Sequence, residues 1–219
     1  MNIPSTFKKT LIGAALLAAT TAAQAASYNI SNSLAGLLAN VQAMGPTTFG
    51  TGTFQCANPG VNCTDPAVNG LPGVSYSVSG SGSVSLDAGA LLNNLPAGSN
   101  NYLEWTFATP QNGWGGTFRM TTGNGLEFQA LDLAEGNENL GWVDVTSVDL
   151  NQALDGFLGF SSTERFGAVR VRQFSNPTGS SYRMENVSIA KAEVPEPGSL
   201  ALLALGAMAV GFARRQRKS

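Results

Sequence analysis

The chain contains no histidine in its 219 residues. This absence excludes Ser-His-Asp hydrolases, Cys-His proteases, His-ligated zinc sites and His-based proton shuttles. Charged residues are also scarce, at 12%, against about 25% in an ordinary globular protein. So few charges disfavour a basic protein that binds polyanions and a highly charged disordered tail. The chain also contains 26 glycines and 10 prolines.

The first residues show the three segments of a secretory signal peptide. Lys8 and Lys9 precede an apolar run over residues 11–19, and the small residues Ala23 and Ala25 follow it. This order of basic, apolar and A-x-A segments predicts cleavage by signal peptidase after Ala25. The alternative is a core helix of the folded domain, which would require the order to arise by coincidence.

A second apolar run occupies residues 198–213 and contains no charge. As a helix it would span about 24 Å, a little less than a hydrocarbon core of roughly 30 Å. Basic residues follow it: Arg214, Arg215, Arg217 and Lys218. Their side chains can reach the lipid headgroups and so extend the span, and the positive-inside rule places them in the cytoplasm. The preceding domain should then lie outside the membrane.

Pro195, Glu196 and Pro197 stand just before this run. Two prolines one residue apart cannot continue a helix or a central strand, so they favour an extended segment that an enzyme can reach. The Pro-Glu-Pro triplet, the apolar span and the arginine-rich end together resemble the PEP-CTERM sorting signal of Gram-negative bacteria. The resemblance implies recognition by exosortase, a multipass membrane enzyme that cuts near the triplet in cells that make extracellular polysaccharide. The alternative is an ordinary single-pass tail anchor in the inner membrane.

Removing the two ends changes the charge of the chain. Residues 26–194 carry six Lys and Arg and thirteen Asp and Glu, a net charge of −7, whereas the whole chain has −2. An acidic domain repels nucleic acid and anionic polysaccharide, so we expect no nucleic-acid partner. Calcium or a neutral glycan is more compatible.

Cys56 and Cys63 are the only cysteines and enclose a short segment rich in turn residues. In an exported chain this spacing predicts a disulfide. Free thiols are the alternative, and a metal site is disfavoured because the chain offers no histidine to complete it.

The exported segment alternates apolar and polar residues in the manner of strands. Leu103, Trp105 and Phe107 share one side of a strand, and Trp105 is expected in the core. One helix-like stretch covers residues 30–44, where apolar residues recur at intervals of three and four. We therefore predict an all-β, antiparallel β-sandwich or jelly roll, with one short N-terminal helix and a C-terminal transmembrane helix.

Three closing strands are predicted over residues 157–160, 166–174 and 182–190, joined by turns at 161–165 and 175–181. The alternation changes phase in the last strand, which predicts a bulge near Glu185-Asn186. This order of strands before the Pro-Glu-Pro triplet resembles the β-sandwich ectodomains common in PEP-CTERM proteins. Those ectodomains are similar to lectin-like and carbohydrate-binding jelly rolls.

The carboxylates suggest a glycosidase, in which two acids flank a sugar bond. Glu104, Glu127 and Glu135 are the candidates, but no spacing selects a pair. Glu104 and Glu127 alternate with apolar residues and are expected to face solvent. We therefore predict no catalytic residues.

Asp132 and Glu135 lie in a segment dense in side-chain oxygens, which are the ligands of Ca²⁺. The segment lacks the spacing of an EF-hand, so a solvated loop is expected and a calcium site is the alternative. The sequence indicates no other cofactor.

Trp114 stands in the stretch 112–116, where an asparagine and three glycines surround it. This composition predicts a loop, on which a large aromatic side chain is exposed. We therefore expect Trp114 to contact a ligand such as a sugar ring, and the alternative is a side chain folded back over the sandwich edge.

The sequence thus divides into a signal peptide at 1–25, an exported β-sandwich domain at 26–192 and a sorting signal at 193–219. It predicts a protein exported across the inner membrane to the cell surface or extracellular matrix, where it acts as a non-catalytic, polysaccharide-associated module. The alternatives are a glycan-active hydrolase that uses carboxylates and a purely structural matrix protein of a biofilm.

Overall fold

The computed structural model describes residues 27–56, 63–98, 100–122, 125–133, 139–149, 155–173 and 179–193. The predicted signal peptide and the predicted transmembrane run lie outside these residues. The described part contains one helix and eleven strands. In chain order they are β1 (Tyr28–Ser31), α1 (Leu34–Gln42), β2 (Thr47–Gln55), β3 (Ala67–Asn69), β4 (Val74–Ser79), β5 (Ser83–Asp87), β6 (Ala90–Leu95), β7 (Tyr102–Thr122), β8 (Gly125–Leu133), β9 (Asn139–Asp149), β10 (Asp155–Gln173) and β11 (Ser180–Ala192).

The long strands β7 and β10 pair with each other along most of their length and take part in two layers. The front layer consists of β4, the first half of β7, the second half of β10, β8 and β9, in that order. The back layer consists of β1, the first half of β10, the second half of β7 and β11, with β2 and β6 paired to β11 and extended by β3 and β5. All these pairs are antiparallel.

Aromatic side chains from both layers meet in one core. The Trp114 ring of the back layer lies 6.2 Å from the Trp105 ring and 6.0 Å from the Phe128 ring of the front layer. Leu103 and Trp105 are fully buried, and the placement of Trp105 in the core is confirmed. The predicted antiparallel β-sandwich with one short helix is confirmed as well, because the two layers enclose this shared core.

Helix α1 covers the outward side of the back layer. The Ser33 side chain caps it by accepting a hydrogen bond from the Gly36 amide at 3.1 Å. Leu37 and Val41 are fully buried, and a β-carbon added to Gly113 would lie 3.0–3.2 Å from their methyl groups. The helix begins later than the predicted residue 30 because Tyr28–Ser31 pairs with β10 instead.

The predicted turn at residues 161–165 is wrong, and the predicted bulge is confirmed. Residues 155–173 form the single strand β10, whose register with β7 shifts between Ser161 and Phe166, where the strand passes from one layer to the other. The polar residues that suggested a turn sit at this crossover. In β11 the register with β7 shifts between Met184 and Asn186, so Glu185 is the extra residue.

The predicted disulfide is confirmed. Cys56 and Cys63 are joined, with their α-carbons 5.8 Å apart. The bridge closes the segment that follows β2, and the Cys63 carbonyl accepts a hydrogen bond from the Leu86 amide of β5 at 3.0 Å.

Candidate functional site

The outward side of the front layer, which we call the front face, carries a set of polar side chains, several of which form ion pairs and hydrogen bonds with one another. Strand alternation places them there, because their neighbours in sequence point into the core. The register aligns five of them directly across the layer: Ser77, Glu104, Arg170, Gln129 and Asp144. A second row brings Arg172 between Tyr102 and Glu127.

Ion pairs join neighbouring strands of the front face. Arg170 Nε lies 2.8 Å from Glu104 Oε2. An Arg172 Nη lies 2.6 Å from Glu127 Oε1 and 3.8 Å from Asp144 Oδ1. Charge-assisted hydrogen bonds of this length hold both partners in one geometry. The centre of the front face is therefore a fixed array of alternating charges.

Two aromatic rings enclose the Arg170 guanidinium. Its carbon lies 4.2 Å from the centroid of the Tyr102 ring and 3.7 Å from the centroid of the Trp142 ring. Both distances fall within cation–π range, and both contacts favour a charged arginine. Trp142 comes from the edge strand β9, so its side chain reaches across β8 to make this contact. Both rings are partly exposed.

The local electrostatics favour the charged forms of Asp144 and Arg172. The hydrogen bond that Gln129 donates to Asp144 at 2.6 Å lowers the pKa of the Asp144 carboxyl. The hydrogen bond to Glu127 raises the pKa of the Arg172 guanidinium. Fixed acceptors, fixed donors and aromatic rings on one surface are the groups that bind sugar hydroxyls and the apolar faces of sugar rings.

Glu104 and Glu127 do face outward, as expected. Their side chains are nevertheless only 22% and 17% exposed, because each lies against its arginine. Both carboxylates are committed to ion pairs. The third glycosidase candidate, Glu135, lies outside the described residues.

Trp114 does not lie on an exposed loop, and that expectation is wrong. It is a fully buried residue of β7, whose ring contacts those of Phe118, Phe128 and Phe160. The glycines around it serve close packing instead of a turn: a β-carbon at Gly115 would lie 2.7 Å from the Gly159 α-carbon of β10. A ring with no exposed surface cannot stack on a sugar.

Asp132 is buried on β8 at 5% exposure, not placed in a solvated loop. Its carboxylate accepts a hydrogen bond from the Tyr28 hydroxyl of β1. Glu135 lies outside the described residues. Within the described ranges no group of three or more Cys, Asp or Glu side chains is placed to hold a metal ion.

The pair of Tyr28 and Asp132 makes stability depend on pH. Burial raises the pKa of Asp132 above its ordinary 3.8, although the hydrogen bond from Tyr28 lowers it. Because the folded state favours the protonated carboxyl, the contribution of this group to stability is fully present below pH 3.8 and is lost as the pH rises through the raised value. Burial and the nearby carboxylate also raise the pKa of Tyr28.

Replacing Tyr28 by phenylalanine is expected to lower the free energy of unfolding by about 1–3 kcal/mol at neutral pH, because the ionised Asp132 loses its donor. The loss should shrink as the pH falls towards about 4, where more of Asp132 is protonated. Urea denaturation at the two pH values measures both quantities.

Tyr76→Phe is the matched control for this prediction. The Tyr76 hydroxyl donates to the carbonyl oxygen of Pro66, which does not titrate. The cost of this substitution should be the same at both pH values. An equally pH-independent cost for Tyr28→Phe would contradict the assigned role of Asp132.

Reasoning from the sequence did not predict that the residues of the front face lie together. Of these residues, Glu104 and Glu127 were expected from the sequence to face solvent. The missing information was the register, because only the pairing of β10 with both β7 and β8 brings these positions together. Outward aromatic and arginine residues at alternate positions of several strands are the signal that could have identified the surface.

The last described residue, Glu193, opens the segment that a comparison with known families identifies. Residues 193–218 match the family described as the PEP-CTERM protein-sorting motif. The chain carries a PEP-CTERM sorting motif. The described part of the chain therefore ends where the sorting motif begins, and the Glu193 amide donates to the Pro46 carbonyl oxygen at 2.8 Å.

No curated protein matches the chain. In the described residues there is no helix with the length and apolar character needed to cross a membrane. The predicted transmembrane run of the PEP-CTERM motif is not among those residues.

Solved structures similar to the chain include carbohydrate binding modules of family 29. One shares 13% identity with a TM-score of 0.43 and covers 71% of this chain and 98% of its own. A variant complexed with mannohexaose shares 13% identity with a TM-score of 0.44, covering 67% and 94%. A module from Piromyces equi shares 11% identity with a TM-score of 0.43, covering 67% and 91%.

Proposed function

We propose that this protein is an exported, non-catalytic module that binds extracellular polysaccharide through its front face. One observation carries the proposal: the Arg170 guanidinium is enclosed by Tyr102 and Trp142 beside carboxylates fixed by ion pairs. This arrangement offers preorganised hydrogen-bonding groups next to aromatic surface, so little side-chain entropy remains to be lost when a glycan binds.

The proposal also covers the route by which the protein is exported and sorted. Signal peptidase removes residues 1–25, and exosortase processes the chain near Pro195, Glu196 and Pro197. The precursor is anchored in the inner membrane of a Gram-negative bacterium and then reaches the cell surface or the medium. The match of residues 193–218 to the sorting motif supports this route. Intact mass measured on protein from the envelope and from the medium reports both cleavages.

A non-catalytic role is favoured because the outward carboxylates of the front face are engaged by arginines. A glycosidase needs one carboxyl that donates a proton and a second that acts as base or nucleophile. Glu104 and Glu127 are instead paired at 2.8 and 2.6 Å with Arg170 and Arg172. Turnover of an extracellular polysaccharide, abolished by changing a single Glu or Asp, would establish the hydrolase alternative.

Binding is tested by affinity electrophoresis of the exported domain against neutral soluble polysaccharides, a β-glucan, a mannan and a xylan. Trp142→Ala and Tyr102→Ala are each expected to weaken binding at least about thirtyfold, as hot-spot residues do. Phe49→Ala is the matched control, because Phe49 is 42% exposed on β2 of the back layer and should leave binding unchanged.

Retention that survives both front-face substitutions would overturn the proposed site. A protein that binds no polysaccharide but whose deletion impairs the biofilm would instead indicate the structural matrix role.

A further inference from the structure

The front face holds two arginines, and each is paired with a carboxylate of the same layer. Arg170 donates its Nε to Glu104, and the rings of Tyr102 and Trp142 pack against its guanidinium. Arg172 binds Glu127 through an Nη, and its own Nε is buried. An arginine recognises a uronate or sulfate by presenting a free pair of N–H donors. Here one donor of each arginine is held by a carboxylate of the protein, and the negative charge of that carboxylate offsets the positive charge of the arginine.

The net charge of the front face is opposite in sign to the charge of its arginines. Arg170 and Arg172 are 23% and 29% exposed, whereas Asp144 is 70% exposed. Among the described side chains, the charged groups of the front face are three carboxylates and two guanidinium groups, so these groups sum to one negative charge. The most exposed of them is the Asp144 carboxylate, because Glu104 and Glu127 are only 22% and 17% exposed.

We propose that Glu104 and Glu127 act as a charge gate that makes the front face selective for neutral polysaccharide and excludes chains bearing uronate or sulfate groups. The inference rests on the proposed function, since it names the class of glycan which that same surface accepts. A sugar hydroxyl can donate to a carboxylate oxygen, and each paired carboxylate keeps acceptor sites that its arginine does not use, so neutral chains can still form hydrogen bonds with it. The selectivity comes from two specific residues and not from the net charge of −7 over residues 26–194.

The gate is tested with the double variant Glu104→Gln/Glu127→Gln, which keeps the shape of both side chains and releases both arginines. Affinity electrophoresis against alginate and polygalacturonate is run beside the neutral polysaccharides at low and at physiological salt. The wild type should be retained by a neutral polysaccharide and not by the anionic ones. The double variant should gain at least about tenfold in affinity for the anionic chains, as expected for new charge-assisted hydrogen bonds, and salt should weaken this gain.

The matched control is Asp65→Asn/Glu164→Gln, which removes two negative charges at exposed positions outside the front face. It should not gain affinity for anionic chains. Thermal melting of all variants confirms that each is folded before binding is compared.

The outcomes separate the gate from the function on which it rests. A wild type retained by no neutral polysaccharide overturns the proposed function and the gate with it. A wild type retained equally by neutral and anionic chains overturns the gate alone. If the gate variant and the control gain equally in affinity for anionic chains, the selectivity comes from net charge and the gate is overturned. A folded gate variant that gains no affinity for anionic chains also overturns the gate.

Discussion

Replacing Trp114 by alanine is expected to lower the free energy of unfolding by about 3–5 kcal/mol, the cost of truncating a large buried aromatic side chain. The Trp114 ring lies 5.6–6.2 Å from the rings of Trp105, Phe118, Phe128 and Phe160, so the substitution removes contacts in both layers. Urea denaturation followed by circular dichroism measures the loss.

Trp142→Ala is the control for this substitution, because it removes the same side chain from the partly exposed front face. Its effect on the free energy of unfolding should be well below that of Trp114→Ala, although it should weaken glycan binding at least about thirtyfold. Trp114→Phe should lie in between, since the phenyl ring fills part of the space and the buried indole N–H has no hydrogen-bond acceptor in the described part of the chain. Equal costs for the two Trp→Ala variants would contradict the placement of Trp114 at the centre of the core.

Replacing Asn112 by alanine is expected to cost about 3 kcal/mol, because a single buried amide serves three backbone groups. Its Nδ2 donates to the carbonyl oxygens of Ser162 at 3.2 Å and Thr163 at 3.4 Å, and its Oδ1 accepts from the Ala192 amide at 3.1 Å. These bonds join β7, β10 and β11 at the crossover between the layers. Denaturation measures the loss, and hydrogen exchange at the Ala192 amide should accelerate in the same variant.

Asn139→Ala is the control for the loss of an asparagine. Asn139 is exposed and accepts one bond, from the Gly141 amide at 2.8 Å, so its replacement should change stability by less than about 0.5 kcal/mol. An Asn112→Ala variant as stable as this control would show that the crossover does not depend on the Asn112 amide.

The features that the sequence predicted correctly are determined by residues that lie close together in the chain. The alternation of Leu103, Trp105 and Phe107 identified the core side of the first half of β7, because side chains of a strand alternate between its two faces. The change of phase near Asn186 identified the bulge for the same reason. Cys56 and Cys63 are close enough in sequence for their pairing to need no information about the rest of the fold.

The features that sequence reasoning missed depend on contacts between distant parts of the chain. Glycines beside Trp114 were interpreted as a turn, whereas they allow the backbones of β7 and β10 to approach closely. The polar stretch 161–165 was interpreted as a turn, whereas it is the crossover of a long strand, in which Ser161 and Ser162 pair with β1 and Arg165 pairs with β8. Turn-forming residues and close-packing residues are largely the same types, so composition alone cannot separate the two roles.

The position of β11 determines how the folded body responds to tension on its C-terminal tail. β11 is hydrogen-bonded to β7 along one side and to β2 and β6 along the other, and residue 193 continues directly from it. A pull along the strand from that end loads both ladders in shear, so their hydrogen bonds must fail together and not one at a time. In the anchored precursor that we propose, the body can thus carry this mechanical load. A cut beyond Glu193 would remove the load and leave every described strand in place.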